Sequence, residues 1–353
     1  MKAPIDETSK AGNEETCETS RRARTVSTGS IIALLVGAAI STALVIHHNF
    51  FSVIEAFQRT GWGFLMVLLI QLAGLALNGV AWRALFRLEQ PGFTAYLLIL
   101  RWIRESINYL LPVARLGGEM AVVRLLEARG RDVNIAIASL VADKTLEFLS
   151  LILFALPGII FLIERGGNSS IQLWALRALV ALFVILLAFL AAQRWGLLRL
   201  ADKVLKKLSG KCAGMYGSSI TGIHETVWAM YADTPRLLIA AFLHVVAWIP
   251  GALQIWVAAH FMGFKIGLFG ALILESLTQV ICAAAFIMPA ALGAQEAAYM
   301  TLGVWLFGIP PEAGLAISLV QRLKDVLFGI PGLLVWQGFE GSRLWTRWRG
   351  RRN

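Results

Sequence analysis

The chain is 353 residues long, 58% apolar and 15% charged, with a net charge of +10 and a mean hydropathy of +0.69. Soluble domains carry about 25% charged residues, so a water-soluble enzyme and a nucleic-acid-binding module are both excluded, and the positive charge reads as that of a membrane protein. Three widely spaced cysteines (Cys17, Cys212 and Cys282) offer neither a disulfide framework nor a metal-binding spacing, the histidines form no zinc motif, and no cofactor is expected.

Residues 1–29 are polar, with the acids first and Arg21, Arg22 and Arg24 set against the first apolar run. This is the pattern of a disordered cytoplasmic tail followed by an uncleaved span. Apolar runs of about 20 residues cross a hydrocarbon core of ~30 Å. Six are expected, at roughly 30–48, 62–82, 135–163, 171–193, 236–260 and 313–338. Trp62 and Trp82, and Trp174 and Trp195, bracket two of them as interfacial anchors, and His47 and His48 belong at an interface after the first. Basic residues cluster at 83–87, 124–131, 194–211 and 343–352, whereas the loops 49–60 and 164–170 each hold one acid and one base. Positive charge marks the cytoplasmic side, so both ends of the chain, including the basic tail 341–353, are expected there. The basic stretch 194–211 alternates with leucines, which suits a helix lying on the inner leaflet or a set of charges that fixes topology.

Two further apolar stretches, 92–122 and 266–309, lie between segments whose near ends face the same side. Each is expected to be a re-entrant helical hairpin, with Pro112, Gly117 and Gly118 at one tip and Pro289 and Gly293 at the other. A pair of short complete spans is the alternative. Broken backbone at membrane depth is tolerated only inside protein or beside a water-filled cavity.

The hairpins match in sequence. Leu111-Pro112-Val113-Ala114-Arg115-Leu116-Gly117-Gly118-Glu119 stands beside Met288-Pro289-Ala290-Ala291-Leu292-Gly293-Ala294-Gln295-Glu296 at an offset of 177. Lys144 and Glu147 match Arg322 and Asp325 at 178, and Pro157-Gly158 matches Pro331-Gly332 at 174. The chain thus reads as an all-α integral membrane protein in one domain, residues 30–340, built from repeats at about 30–163 and 171–338. Each half has three full crossings, so the halves are inverted, and inverted repeats with broken elements at the midplane are a transporter architecture.

Charges inside the membrane are costly and mark functional positions. Lys144/Glu147 and Arg322/Asp325 are spaced to pair on a helix face, with Asp143 and Lys324 beside them. They serve either as staples that fix helix rotation or as the lining of a polar cavity. Arg101, Arg104, Glu105 and Asn108 form one stripe on the first hairpin arm, and Glu275, Thr278, Gln279 and Cys282 form the matching stripe on the second. Arg115 lies at the first tip. The guanidinium groups suit a phosphate or, alternatively, snorkel to the cytoplasmic interface. Glu119 and Glu296 follow their tips at a fixed spacing and are expected to face one central cavity from opposite sides.

At 111–119, 142–147 and 288–296 the sequence resembles the flippase-like membrane region of lysylphosphatidylglycerol synthases, a family of multi-span bacterial proteins. Pro310-Pro311-Glu312, Gln321-Arg322-Leu323-Lys324-Asp325 and Gly329-Ile330-Pro331-Gly332 are most similar to its hopanoid-biosynthesis-associated branch. The resemblance covers about 30–340 and places Pro112, Gly117, Gly118, Glu119, Lys144 and Glu147 at the family's motif positions. It implies a bacterial inner-membrane protein that translocates or handles lipids, an anionic phospholipid or a hopanoid among them; an enzyme is not expected, because the residues offer no metal cluster and no nucleophile elbow, and the carboxylates have bases rather than a second acid beside them. A non-transporting partner of lipid-biosynthesis proteins is the alternative. No aminoacyl-transferase domain follows residue 340 in the given sequence, so lysine transfer to lipid is not expected of this chain.

Overall fold

The computed structural model describes residues 58–87, 90–111, 117–164, 169–194, 220–285 and 291–350, and the regular structure among them is helical. In chain order the helices are α1 (Gly63–Ala84), α2 (Phe93–Leu110), α3 (Gly117–Ala128), α4 (Val133–Glu164), α5 (Ser169–Arg194), α6 (Ile220–Ala232), α7 (Thr234–Val246), α8 (Ile249–Phe261), α9 (Leu268–Ala284), α10 (Ala294–Phe307) and α11 (Pro311–Gly350).

Three segments among the described residues are long and apolar enough to cross a membrane: α1, α4, and α7 with α8 taken together. They coincide with the expected runs at 62–82, 135–163 and 236–260. The run at 171–193 lies within α5. That at 313–338 lies within α11, whose apolar character is interrupted by Arg322, Lys324 and Asp325. The run at 30–48, the tail 1–29 and the basic stretch 195–211 fall outside the described residues. The chain is a helical membrane protein.

Proline and glycine set the boundaries. Pro235 and Pro250 sit in the first turns of α7 and α8, where the missing N–H costs nothing. Gly308, at φ +64°, closes α10 in the left-handed conformation, and Pro310-Pro311 opens α11. The bundle carries apolar side chains outward. Leu65, Leu69 and Leu72 on α1, Leu149, Leu153, Leu156, Ile160 and Ile163 on α4, and Leu238, Ile239 and Phe242 on α7 are all exposed. On α1 and α4 their spacing of three to four residues is that of one helix face turned to hydrocarbon. Trp62, 81% exposed, fits an interfacial anchor. Trp82 does not. It is fully buried, lies 5.7 Å beneath the Arg104 guanidinium, and its Nε1 donates to Ser139 Oγ at 3.3 Å.

The two expected hairpins are helical pairs: α2 packs on α3, and α9 packs on α10. The first arm of each leans on the long helix of the other half, α2 on α11 and α9 on α4. Two close approaches hold these crossings. A Cβ at Gly158 of α4 would run into Ser276 Oγ of α9, and a Cβ at Gly332 of α11 would run into Ser106 Oγ of α2. The core is divided accordingly. One cluster joins the first hairpin to Ala136, Leu140, Ala142 and Leu146 of α4. The other joins the second hairpin to Ala155, Ile159 and Leu162 of the same helix. At 1.5 Å per residue, Ala142 and Ile159 are about 25 Å apart along α4, so the hairpins sit at opposite ends of it.

Candidate functional site

The polar stripe of α2 turns inward onto α4. Arg101 and Arg104 are 4% and 1% exposed, and Asp143 is fully buried between them. Arg101 Nη1 lies 3.1 Å and Arg104 Nη1 2.8 Å from Asp143 Oδ2. His244 Nε2 of α7 approaches the other oxygen, Oδ1, at 3.0 Å. Arg101 Nε also donates to Glu105 at 2.7 Å, and Lys144 Nζ to Glu147 at 3.0 Å. The arginines are therefore not interfacial anchors. An ion cluster in the interior survives because each charge has partners that offset its lost hydration.

Glu119 belongs to the lock of the first hairpin. Asn108 Nδ2 donates to both of its oxygens at 3.2 Å, Lys144 Nζ stands 3.5 Å away, and Asn108 Oδ1 accepts the Gly118 N–H at 2.9 Å. Gly118 must lack a side chain, because a Cβ would collide with the Arg104 carbonyl. Gly117 begins α3 beside it.

Glu296 has the same duty in the second hairpin. Its Oε2 accepts the N–H of Gly293, which stands at φ +82°, at 2.8 Å, while Arg322 Nε donates to Oε1 at 2.9 Å and Arg322 Nη2 to the Ala291 carbonyl at 3.2 Å. The expected Arg322–Asp325 pair is thus replaced. Arg322 reaches back across the hairpin, and Asp325 pairs with its neighbour Lys324 at 3.3 Å. The spacing rule held for Lys144/Glu147, but an acid on a neighbouring helix captured the arginine. We expect the Glu296→Gln, Arg322→Gln double-mutant cycle, read by thermal unfolding in detergent, to give a coupling of about 0.5–3 kcal/mol. A coupling of zero would remove this lock.

Between the clusters lies a cavity of about 190 Å³ with a predominantly polar wall. From the first half come Gln71, Asn78, Arg101, Glu105 and Glu147. From the second come His244, Gln254, Glu275, Gln279, Cys282, Tyr299, Arg322, Lys324 and Asp325. Of the expected site residues, Arg101, Glu147, Arg322 and Asp325 line it. Arg104, Asn108, Gly117, Gly118, Glu119, Asp143, Lys144, Gly293 and Glu296 do not line it. Pro112, Arg115 and Pro289 lie outside the described residues. The expectation that Glu119 and Glu296 face the cavity is corrected, since neither lines it: Asn108 and Lys144 hold Glu119 in the first hairpin, and the Gly293 N–H and Arg322 hold Glu296 in the second. Three of the four residues in the second stripe, Glu275, Gln279 and Cys282, do line the cavity.

Sequence reasoning missed His244, Gln71, Gln254 and Tyr299. A signal existed for the first three, each a polar residue set among apolar ones within a span. Gln254 proves to be a bridge, its Nε2 donating to Gln71 at 2.9 Å and its Oε1 accepting from Lys324 Nζ at 3.1 Å.

A family model described as the lysylphosphatidylglycerol synthase TM region matches residues 30–332. Comparison with curated proteins and with solved structures gave no match.

Proposed function

The chain belongs to the lysylphosphatidylglycerol synthase TM-region family, whose function is lipid-related and set in the membrane; from that premise we propose that it translocates or handles a lipid at the central cavity and catalyses no reaction on it. The observation that carries this reading is the polar, charged wall assembled from both halves inside a bundle whose outer surface is apolar. A lipid headgroup needs such a path, because a polar group unpaired in hydrocarbon costs several kcal/mol. Arg101, Arg322 and Lys324 give the wall cations suited to a phosphate.

The finer reading is an inner-membrane protein with both ends cytoplasmic, six full crossings and two hairpins re-entering from opposite faces. The exchanged packing of α2 on α11 and α9 on α4 supports an inverted repeat. So do the matched Gly158–Ser276 and Gly332–Ser106 approaches. The separation of the two hairpin cores along α4 supports entry from opposite sides. The proposed cargo is an anionic phospholipid or a hopanoid on its way out of the inner leaflet.

Reconstitution tests this. Purified protein in vesicles carrying a headgroup-labelled anionic phospholipid should make the inner-leaflet label accessible to a membrane-impermeant quencher faster than protein-free vesicles do. A separate vesicle set should test a labelled hopanoid. Equal rates with and without protein for both lipids would reject translocation and favour a partner role in lipid synthesis.

A further inference from the structure

Each acid of the two charge clusters has a Lys or Arg nitrogen close by. Glu105 has Arg101 at 2.7 Å, Asp143 has Arg104 at 2.8 Å, and Glu147 has Lys144 at 3.0 Å. Glu119 has Lys144 at 3.5 Å, Glu296 has Arg322 at 2.9 Å, and Asp325 has Lys324 at 3.3 Å. Glu275 of α9 differs. It is 5% exposed and lines the cavity. Its oxygens meet neutral donors: Gln279 Nε2 at 2.8 Å on Oε1, and the Tyr299 hydroxyl at 2.7 Å on Oε2. Among the described residues no cation lies within salt-bridge reach of it.

The backbone makes room for this carboxyl. A Cβ at Gly251 of α8 would come within 2.8 Å of Glu275 Oε1, so a side chain there would push the group away. Among the described residues the neighbouring cations are farther off and already matched to other acids. Of the helices packed against α9, α10 presents Tyr299 and the already paired Glu296. The acid of α4 on the cavity, Glu147, is paired with Lys144. α8 presents His260, which is exposed at its far end, and α5 presents the exposed Arg177. Across the cavity stand Arg101 with Glu105, Arg322 with Glu296, and Lys324 with Asp325, each cation already matched to an acid, and His244, held on Asp143. Cys282, one turn further along α9 beyond Gln279, also lines the wall.

An ionised carboxylate in such a place is far costlier than a neutral acid. The partners accommodate both forms, since a tyrosine hydroxyl and a glutamine amide each donate or accept. The Tyr299 O–H and a Gln279 N–H donate to the carboxylate. With the Gln279 amide turned over, its carbonyl oxygen accepts the O–H of the acid.

We propose that Glu275 is a proton-binding site in the cavity wall, and that its loading on one side and unloading on the other couple a proton gradient to movement of the lipid. This rests on the lipid-translocation reading above. The step is a single proton transfer: water on one side gives a proton to a carboxylate oxygen of Glu275, and that proton returns to water on the other side, with no other bond changed.

Two measurements on the full-length protein test it. The first is an infrared difference spectrum recorded across a pH titration. It should contain the carbonyl stretch of a buried protonated carboxyl group, and Glu275→Gln should remove that band. A band unchanged in Glu275→Gln, or no such band in the wild type at any pH, overturns the proposal. The second is the rate of lipid movement in vesicles with an imposed pH gradient, divided by the rate without one. That ratio should exceed one several-fold in the wild type and fall to one in Glu275→Gln. A ratio of one in the wild type, or an unchanged ratio in the variant, overturns proton coupling. A wild type that moves no lipid under either condition instead rejects the translocation reading, and is told apart from failure of the proton site by the infrared band.

Discussion

Asp143→Asn should lower the stability of the detergent-solubilised protein by about 3–5 kcal/mol, the typical cost of breaking a buried ion pair. Asparagine has nearly the shape of aspartate but no charge. Arg101 would keep Glu105 at 2.7 Å. Of its acids Arg104 would keep only Glu147 at 3.7 Å and Glu119 at 4.0 Å, while remaining 1% exposed. His244 would lose the charged acceptor for its ring nitrogen. Removing Arg104 as well takes away the buried cation that Asp143→Asn leaves most poorly matched, so Asp143→Leu with Arg104→Leu is expected to be more stable than Asp143→Asn alone. Thermal unfolding followed by tryptophan fluorescence reads both. An Asp143→Asn protein as stable as the wild type would mean that the cluster does not hold the bundle together.

Gly158→Val and Gly332→Val should each cost about 3 kcal/mol through overpacking, and by similar amounts. Each glycine lies where two helices meet, against Ser276 in one case and Ser106 in the other, and a branched side chain must drive the pair apart. Ser276→Gly should recover part of the loss at Gly158→Val but none at Gly332→Val, and Ser106→Gly should do the reverse. The four double variants, measured by thermal unfolding, thus test whether the same crossing is built twice. Recovery that ignored the pairing would refute it.

Much of this architecture is legible in the sequence because lipid imposes simple rules. Apolar length marks α1, α4 and α7–α8, and charges stranded in apolar runs mark Asp143, Lys144, Glu147, Arg322 and Asp325 as special. Pattern does not identify partners. Asp143 is 42 residues from Arg101 and 101 residues from His244, and no local spacing encodes such a meeting. Arg322 illustrates the same limit, since an i,i+3 acid was available and Glu296 was taken instead. The register of the proposed repeat was also hidden. The polar stripes align Arg101 with Glu275, an offset of 174, whereas the glycine contacts align Ser106 with Ser276, an offset of 170. Four residues is close to one helical turn, so sliding by four keeps the same face, and periodicity cannot tell the two apart. With the second offset Glu105 matches Glu275, and both line the cavity.

Cys282 provides the most direct test of whether the cavity is the lipid's path, because it lines the wall one turn from Gln279. In a Cys17→Ser, Cys212→Ser protein it is the remaining cysteine of the sequence. Lipid movement would be measured in vesicles before and after its complete reaction with a bulky thiol reagent, with labelling verified by mass spectrometry. A plugged cavity should abolish the protein-dependent movement, and reductive release of a disulfide-linked reagent should restore it. Undiminished movement with every Cys282 labelled would show that the lipid travels elsewhere.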